Sequence, residues 1–401
     1  MTRNVVISGF TRPGFEPVRD AFVENFERRH ELGAACCIFH RGEKVVDLWG
    51  GVRNKATGEP WEEDTMVIVF SGTKGMSGLA MALAHSRGLF DYDERVATYW
   101  PEFSQQGKDQ ITVRQLLAHQ AGLYAFDELG DRSVIADPDR LAVVLARQKP
   151  AWEPGTRQGY HGMTLGYYES ELLRRVDPRH RTLGQYFQDE LATPLGLDFY
   201  IRLPESIPDT RLATLQSAAI SRSIFVAPLA LSLSALRPRS AIRRALAGSL
   251  LPLDENHVYA RNLEVPAGGG VGTARAIAHA YSVFATGGKE LGLRAETLRQ
   301  LMAPAVAPTH GFHDEVLKVE TRFALGFAKP WAKDPFGQSG SFGHPGSGGS
   351  FGFADPQAGI GFGYVCNRMD RYLIDPRNDT LRRAMYKSIG EPDPYREDVR
   401  E

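Results

Sequence analysis

Cysteine is scarce in this chain: three in 401 residues, two of them the adjacent Cys36 and Cys37. That is no disulfide framework, and no C-x-x-C spacing points to zinc. The eleven histidines include no H-E-x-x-H or comparable ligand spacing, which argues against a metal hydrolase. An excess of one charge is also missing. Lys plus Arg number 47 against 48 Asp plus Glu, so no global field recruits nucleic acid or an anionic surface. The uncharged, largely apolar run Ser223 to Leu236 is interrupted by Pro228 and is too short to span a bilayer. The first residues hold no apolar run of signal-peptide length, so a cytoplasmic protein without stable membrane insertion is expected. Internal repeats and low-complexity tracts are absent.

What is present is the composition of a folded protein, 42% hydrophobic and 10% aromatic. The length allows a large core in one domain or two intimately joined ones. The rest of the chain is organised around one stretch. An apolar, β-prone run, Val67 to Phe70, delivers the chain to Ser71-Gly-Thr-Lys74. Beyond it Met76, Leu79, Ala80 and Leu83 recur at helical spacing, which predicts a buried helix from about Ser71. Side chains at i and i+3 share a helix face, so Ser71 and Lys74 are neighbours. A hydroxyl needs a proton acceptor to become a nucleophile. An amine one turn away, at a helix N-terminus that disfavours a second cation, is a candidate for that role. Gly72, Gly75 and Gly78 are poor helix formers and make sense only where bulk is unwelcome. Taken alone, Ser71-x-x-Lys74 reads as a helix cap followed by a solvated lysine; its place between strand and buried helix favours catalysis.

Apolar periodicity predicts helices at Gly14 to Glu31, Ile111 to His119, Asp137 to Arg147, Met163 to Val176, Leu183 to Leu195, Ala274 to Ala285, Arg294 to Met302 and Thr380 to Ile389. Ala34 to His40 and Lys44 to Trp49 form a predicted hairpin around Arg41-Gly42-Glu43. Strand patterns return at Phe323 to Ala328, Gly349 to Ala354 and Ile360 to Cys366. Strands at both ends and helices between predict an α+β fold, an antiparallel sheet built from both termini with a helical insertion beside it. The expected division is 1–95 with 265–401 for the sheet domain and 96–264 for the mostly helical one.

Two further segments bear on Ser71. Trp152-Glu-Pro-Gly-Thr156 is a stiffened turn that holds Tyr160 in a defined place. Gly343-His-Pro-Gly-Ser-Gly-Gly-Ser350, at the start of a strand-like run, lets backbone approach a ligand closely. Each alone would pass for packing or a tight turn. Together with the one S-x-x-K box in the chain, they resemble the serine β-lactamase-related superfamily, which includes class C β-lactamases, penicillin-binding proteins, D-aminopeptidases and family VIII carboxylesterases. Thr112 to Leu123 and Pro266 to Ala274 add to the likeness, which runs from about Phe22 to the C-terminal helix.

The resemblance implies that Ser71 is the nucleophile, Lys74 its partner and Tyr160 the residue of the second box. It implies an oxyanion hole from the N–H groups of Ser71 and Ser347, the latter on the strand after the third box. It further implies that His344, Gly346, His161 and Gly348 contact substrate. No metal or cofactor is implied. Two departures stand out. The second box of lactamases reads Y-x-N or S-x-N, and here it is Tyr160-His161-Gly162; the third reads K-T-G, and here it is His344-Pro345-Gly346. The lost amide and lysine would have held the side-chain amide and carboxylate of a lactam or peptide, whereas a histidine is largely neutral at pH 7. The acyl-transfer machinery survives, which favours neutral carboxylic esters of short to medium acyl chains. Some D-aminopeptidase relatives also carry His in the third box, so an amidase or β-lactamase is the alternative, and an inactive scaffold the second.

Deprotonating either Lys74 or Tyr160 at pH 7 costs about 4 kcal/mol unassisted. Burial of the lysine, or a phenolate stabilised by it, lowers that cost, and the two would titrate as a pair. The expected mechanism has them jointly accept the Ser71 proton, with Tyr160 passing it to the leaving alcohol. Gly348-Gly-Ser350-Phe-Gly352 matches the G-x-S-x-G elbow, but strand follows it and no histidine occurs after His344. The segment 222–253, two apolar runs around an arginine-rich centre, reads as ordinary core, as a lid or wall of an acyl pocket, or as a membrane-surface helix. Whether the protein is a monomer or a homo-oligomer is left open.

Overall fold

The hairpin Gly33–His40 (β2) and Glu43–Gly51 (β3) forms as the alternating pattern predicts, and Ile7–Thr11 (β1) adds to its outer edge. The computed structural model describes residues 5–127, 132–216, 233–234, 236–247, 259, 261–370, 374–390 and 394. Two more sets of strands follow in sequence. Val67–Ile68 (β4), Phe199–Tyr200 (β5) and Val271–Gly272 (β6) make a small antiparallel sheet in the order β4-β6-β5. Phe323–Ala324 (β7), Phe327–Ala328 (β8), Phe342–Pro345 (β9), Phe351–Asp355 (β10) and Ile360–Cys366 (β11) complete the main sheet, ordered β1-β3-β2-β11-β10-β9-β8-β7 and antiparallel throughout. The sheet therefore draws on both ends of the chain, joined where β2 pairs with β11, Cys36 opposite Tyr364.

Alternation along the central strands sorts their side chains between two faces. Cys36, Ile38, Ile360, Phe362 and Tyr364 face a layer made by the helices Glu16–Arg28 and Pro376–Ile389, with Phe22, Leu381 and Met385. Cys37 and Val365 belong to the larger core on the other side. Adjacent in sequence, Cys36 and Cys37 thus point to opposite faces, and all three cysteines are free and buried. On the second face the helix Ala274–Ala285 lies across β11, β2 and β10, and the helix Gly72–Ser86 against β9 and β10. The latter is buried along its whole length from Thr73. Its glycines mark close approaches: a Cβ at Gly75 would meet the Tyr281 hydroxyl at 1.9 Å, and one at Gly78 the Phe327 ring at 2.7 Å.

Two expectations need correction. Phe323 to Ala328 is not one strand but a tight hairpin, because Leu325 and Gly326 both take positive φ (53° and 87°). The predicted helix Leu183 to Leu195 forms over its full span, with a wider turn over Gln188–Ala192 between Leu183–Phe187 and Thr193–Leu195. The third box does not open a strand: His344 and Pro345 end β9, and Gly346 to Ser350 turn into β10. Ser347 is therefore in a turn. Of the segment 222–253, residues 222–232, 235 and 248–253 lie outside the described residues. Among the described residues no helix is long and apolar enough to cross a membrane.

The contact between the helix Ala274–Ala285 and β11 is backbone on backbone. A Cβ at Gly361 would lie 2.4 Å from both Ala278 O and Ser282 N. Gly361→Ala is expected to lower stability by about 2 kcal/mol or more, since rigid backbone cannot give way as a side chain would. Urea unfolding followed by circular dichroism measures it.

Candidate active site

After β4 the chain turns sharply into the helix Gly72–Ser86, with Ser71 as the residue before it. Phe70 takes φ 46°, a left-handed backbone that a bulky side chain adopts only under constraint. The Gly72 N–H donates to Val69 O at 2.9 Å, and the Thr73 N–H and hydroxyl both donate to Phe70 O. Ser71 makes no side-chain cap to its own helix, so its hydroxyl is free for other partners.

Lys74 is fully buried beneath it. Its Nζ donates to Gly162 O at 2.6 Å and Ala267 O at 2.8 Å, and lies 3.4 Å from Ser71 Oγ. Burial pushes the amine down to about 7, while the Glu169 carboxylate pulls the other way. A neutral amine has two N–H donors and one lone pair. The two carbonyls use the donors, which leaves the lone pair for the Ser71 hydroxyl.

The Tyr160 hydroxyl donates to Ser71 Oγ at 2.7 Å, and its ring lies 4.8 Å from Lys74 Nζ. Burial pushes the phenol up, and the Ser71 hydrogen bond only partly offsets this, so at neutral pH it keeps its proton. The resting tyrosine is a neutral donor, not a phenolate. Its segment is pinned from several sides: the Tyr160 N–H donates to buried Asp314 Oδ1 (3.2 Å), Gly159 N–H to His119 O (3.0 Å) and His161 N–H to His119 Nδ1 (3.0 Å).

His161, expected at the substrate, is buried with both ring nitrogens engaged by main chain. Nδ1 is 2.7 Å from Gly159 O and Nε2 accepts the Leu123 N–H at 3.0 Å. Burial drives its pKa to about 4, the Gly159 contact opposing, and it braces the second box from inside. His344 faces Tyr160, ring centroids 6.1 Å apart. Its Nδ1 is 2.8 Å from Pro345 O, and Nε2 is buried without a partner. Burial, and then the Lys74 charge, push this imidazole down to about 3.

Gly346 brings the third box against the turn that carries Ser71; a Cβ there would lie 2.1 Å from Val69 O. The turn is anchored from behind. Gly348 O accepts from Arg377 Nη2 at 2.5 Å and Gly349 O from Asn378 Nδ2 at 2.8 Å, and Arg377 is itself paired with buried Glu31 and with Asp375. Ser347 is exposed in that turn. Ser71, Lys74, Tyr160, His344 and Gly346 thus converge, with Gly348 fixing the turn and His161 facing away.

Sequence reasoning assigned no role to His119, Asp314, Glu169 or Phe323. His119 stands in the Thr112–Leu123 stretch used for the resemblance, and its φ of 61° was not readable there. Phe323 stacks on Tyr160 at 5.6 Å and joins Tyr124, Val316, Ile242 and Ala245 in an apolar cluster around the phenol. Ile242 and Ala245 come from the helix Ala241–Ala247, tied down by Arg244, which pairs with Asp127 at 2.5 Å. Among the described residues no group of three or more His, Cys, Asp or Glu is placed to hold a metal.

A family model described as beta-lactamase matches residues 18–386. The chain belongs to that family. It is 32% identical over 373 residues to the esterase/beta-lactamase LipL of Mycobacterium tuberculosis (strain ATCC 25618 / H37Rv), covering 92% of this chain and 84% of LipL. Among solved structures it is similar to a family VIII carboxylesterase, 37% identical with a TM-score of 0.84, covering 96% of this chain and 100% of the other. A penicillin-binding protein homologue from Caulobacter crescentus is 34% identical with a TM-score of 0.83, covering 96% and 100%. The antiparallel sheet with flanking helices is thus this family's fold.

Burial brings the Lys74 amine down to about 7, and it lies 3.4 Å from Ser71 Oγ. The rate of Ser71 modification by a fluorophosphonate, followed by intact mass, is expected to rise with pH through about 7 and then level off. The sign follows from the protonation: below 7 the ammonium has no lone pair to accept the hydroxyl proton.

Proposed function

We propose that the protein is a serine hydrolase that cleaves neutral carboxylic esters of short to medium acyl chains through a Ser71 acyl-enzyme. One observation carries this reading: the Ser71 hydroxyl lies between a desolvated amine and a neutral phenol, 3.4 Å and 2.7 Å away, while the third-box position holds an uncharged imidazole. Lys74 accepts the hydroxyl proton as Oγ attacks the ester carbonyl. The N–H groups of Ser71 and Ser347 stabilise the oxyanion. The ammonium proton then moves through Tyr160 to the departing alcohol. Water enters, gives its proton by the same route in reverse, and releases the acid. The base is thus Lys74 and the relay Tyr160, rather than the two accepting the proton jointly.

His344 argues for the ester over an anionic amide. A lysine at that place would meet a carboxylate with a full charge, whereas an imidazole held near 3 offers none at neutral pH. The cluster of Tyr124, Ile242, Ala245, Val316 and Phe323 beside Tyr160 suits an apolar acyl or alcohol group, with the helix Ala241–Ala247 as a wall of the pocket. The name of the family VIII carboxylesterase agrees with this chemistry, as does the esterase half of LipL's name, whose other half is beta-lactamase.

The test compares p-nitrophenyl butyrate, nitrocefin and a D-alanyl p-nitroanilide. Turnover of the butyrate is expected to exceed the other two by about a hundredfold or more in kcat/KM, a difference of roughly 3 kcal/mol in transition-state binding. Preference for nitrocefin or the anilide overturns the ester reading, and a fully active Ser71→Ala overturns the mechanism. Tyr160→Phe removes the relay while leaving the packing intact. It is expected to lower kcat by about 10²- to 10⁴-fold with little change in thermal midpoint.

A further inference from the structure

The turn after the third box is bound to the outer layer of the sheet through its carbonyls. Gly346 to Gly349 form a turn closed by the Gly349 N–H on Gly346 O at 3.2 Å, with Gly348 at φ 91°. Across a trans peptide the C=O and the N–H point in opposite directions. The Gly348–Gly349 peptide therefore has its oxygen on Arg377 Nη2 (2.5 Å) and its N–H on Gly346 O. The Gly346–Ser347 peptide has its oxygen on that N–H, which leaves the Ser347 N–H at the free end, directed out of the turn. Gly346 itself lies against the Ser71 turn, where a Cβ would be 3.3 Å from Gly72 N. Among the described residues no group accepts the N–H of Ser347 or that of Ser71. A chain of two peptide groups thus runs from a buried guanidinium to one of the donors that the proposed mechanism needs.

We propose that Arg377 and Asn378 are positioning residues for the oxyanion hole, fixing the direction of the Ser347 N–H through the carbonyls of Gly348 and Gly349. The inference rests on the Ser71 acyl-enzyme reading. Arg377 is buried, and Glu31 (3.0 Å) and Asp375 (2.7 Å) fix its plane, so that one N–H is aimed at Gly348 O. The Cys366 thiol adds a weaker donor to the same oxygen at 3.3 Å. A cation at the head of such a chain polarises each peptide in turn and strengthens the last donor. Asn378 holds the neighbouring carbonyl, its Nδ2 donating to Gly349 O at 2.8 Å, while its own buried Oδ1 accepts from no protein group. An aliphatic side chain of that size would avoid the orphaned oxygen, so the amide is there for the carbonyl it holds. Turn and anchor meet without slack: a Cβ at Gly349 would lie 2.6 Å from both Arg377 Nη2 and Asp375 Oδ2.

The experiment compares the unaltered protein with Asn378→Leu and Arg377→Lys in kcat and KM on p-nitrophenyl butyrate and in Ki for an alkyl trifluoromethyl ketone. The ketone places a tetrahedral oxyanion on Ser71, so its affinity reads the hole directly. Asn378→Leu is expected to lower kcat about tenfold and to weaken the ketone by a similar factor, with KM unchanged. Arg377→Lys keeps a cation but loses the planar fork, and is expected to cost more. Where Arg377→Lys does not fold, Asn378→Leu decides, because it exchanges one hydrogen bond and one orphaned oxygen for apolar packing. The pH at which fluorophosphonate labelling rises stays in place, since Lys74 is untouched. A structural role alone would lower the thermal midpoint and leave kcat and Ki per labelled serine as they were. If Ser71 of the unaltered protein is not labelled, the hydrolase reading falls and this inference with it. If it is labelled, and the ketone fails to bind or Asn378→Leu leaves its Ki unchanged, this inference alone is overturned.

Discussion

The burial of the Lys74 amine constrains the rest of the architecture. Its Nζ is met by Gly162 O from the second box and Ala267 O from the loop before β6, two points far apart in sequence, while its own helix carries Ser71. Those two carbonyls hold three segments together and keep the lone pair aimed at one hydroxyl. Desolvation alone would not single this lysine out. Lys329 is also buried and pushed down to about 7, with Nζ on Leu301 O, and Lys108 is spent on Gln105 O, Ala146 O and Gln148 O. Each of those amines serves as a main-chain clamp. Lys74 differs in having a serine hydroxyl as its remaining neighbour.

A second layer of support reaches the site from the outer face of the sheet. Arg377 and Asn378, near the start of the closing helix, hold the carbonyls of Gly348 and Gly349. Asn25 on the helix Glu16–Arg28 in turn donates to Arg377 O at 3.0 Å. The turn carrying Ser347 is thereby tied to both terminal helices, so its geometry depends on packing well away from the substrate. His344 contributes by what it lacks. Held neutral by burial, it places no cation beside the aromatic and aliphatic surroundings of Tyr160.

Much of this was legible in the sequence where pattern is local. The helix Ala274–Ala285 and the strand Ile360–Cys366 were readable to the residue, because 3.6- and 2-residue periods run through them uninterrupted. Ser71, Lys74 and Tyr160 were readable as a set from their boxes. The strand β4 was readable as the apolar run before Ser71, but β5 and β6 were not, since two residues carry no period and exist only through pairing with distant partners. The hairpin at Leu325–Gly326 was hidden because leucine gives no hint of positive φ. Glu169 was hidden for another reason: Glu169-Ser170-Glu171 looks like a solvated helix face, and only the fold places both glutamates inside, Glu171 paired with Arg174 and Arg175 and Glu169 with neither. His161 was misassigned because a histidine beside a catalytic tyrosine looks available, whereas its ring nitrogens are consumed by Leu123 and Gly159.

The pairing of β2 with β11 has a consequence for how the protein comes into being on the ribosome. The hairpin β2–β3 emerges early, yet its inner edge is filled by a strand that is translated close to the end. Until then a row of unpaired amides and carbonyls, flanked by Ala34, Cys36 and Ile38, stands open to other chains. Closure over such a span is slow, and the exposed edge is a point of vulnerability during synthesis. Ser71, made in the first fifth of translation, stays without its third-box neighbours until that last seam is zipped.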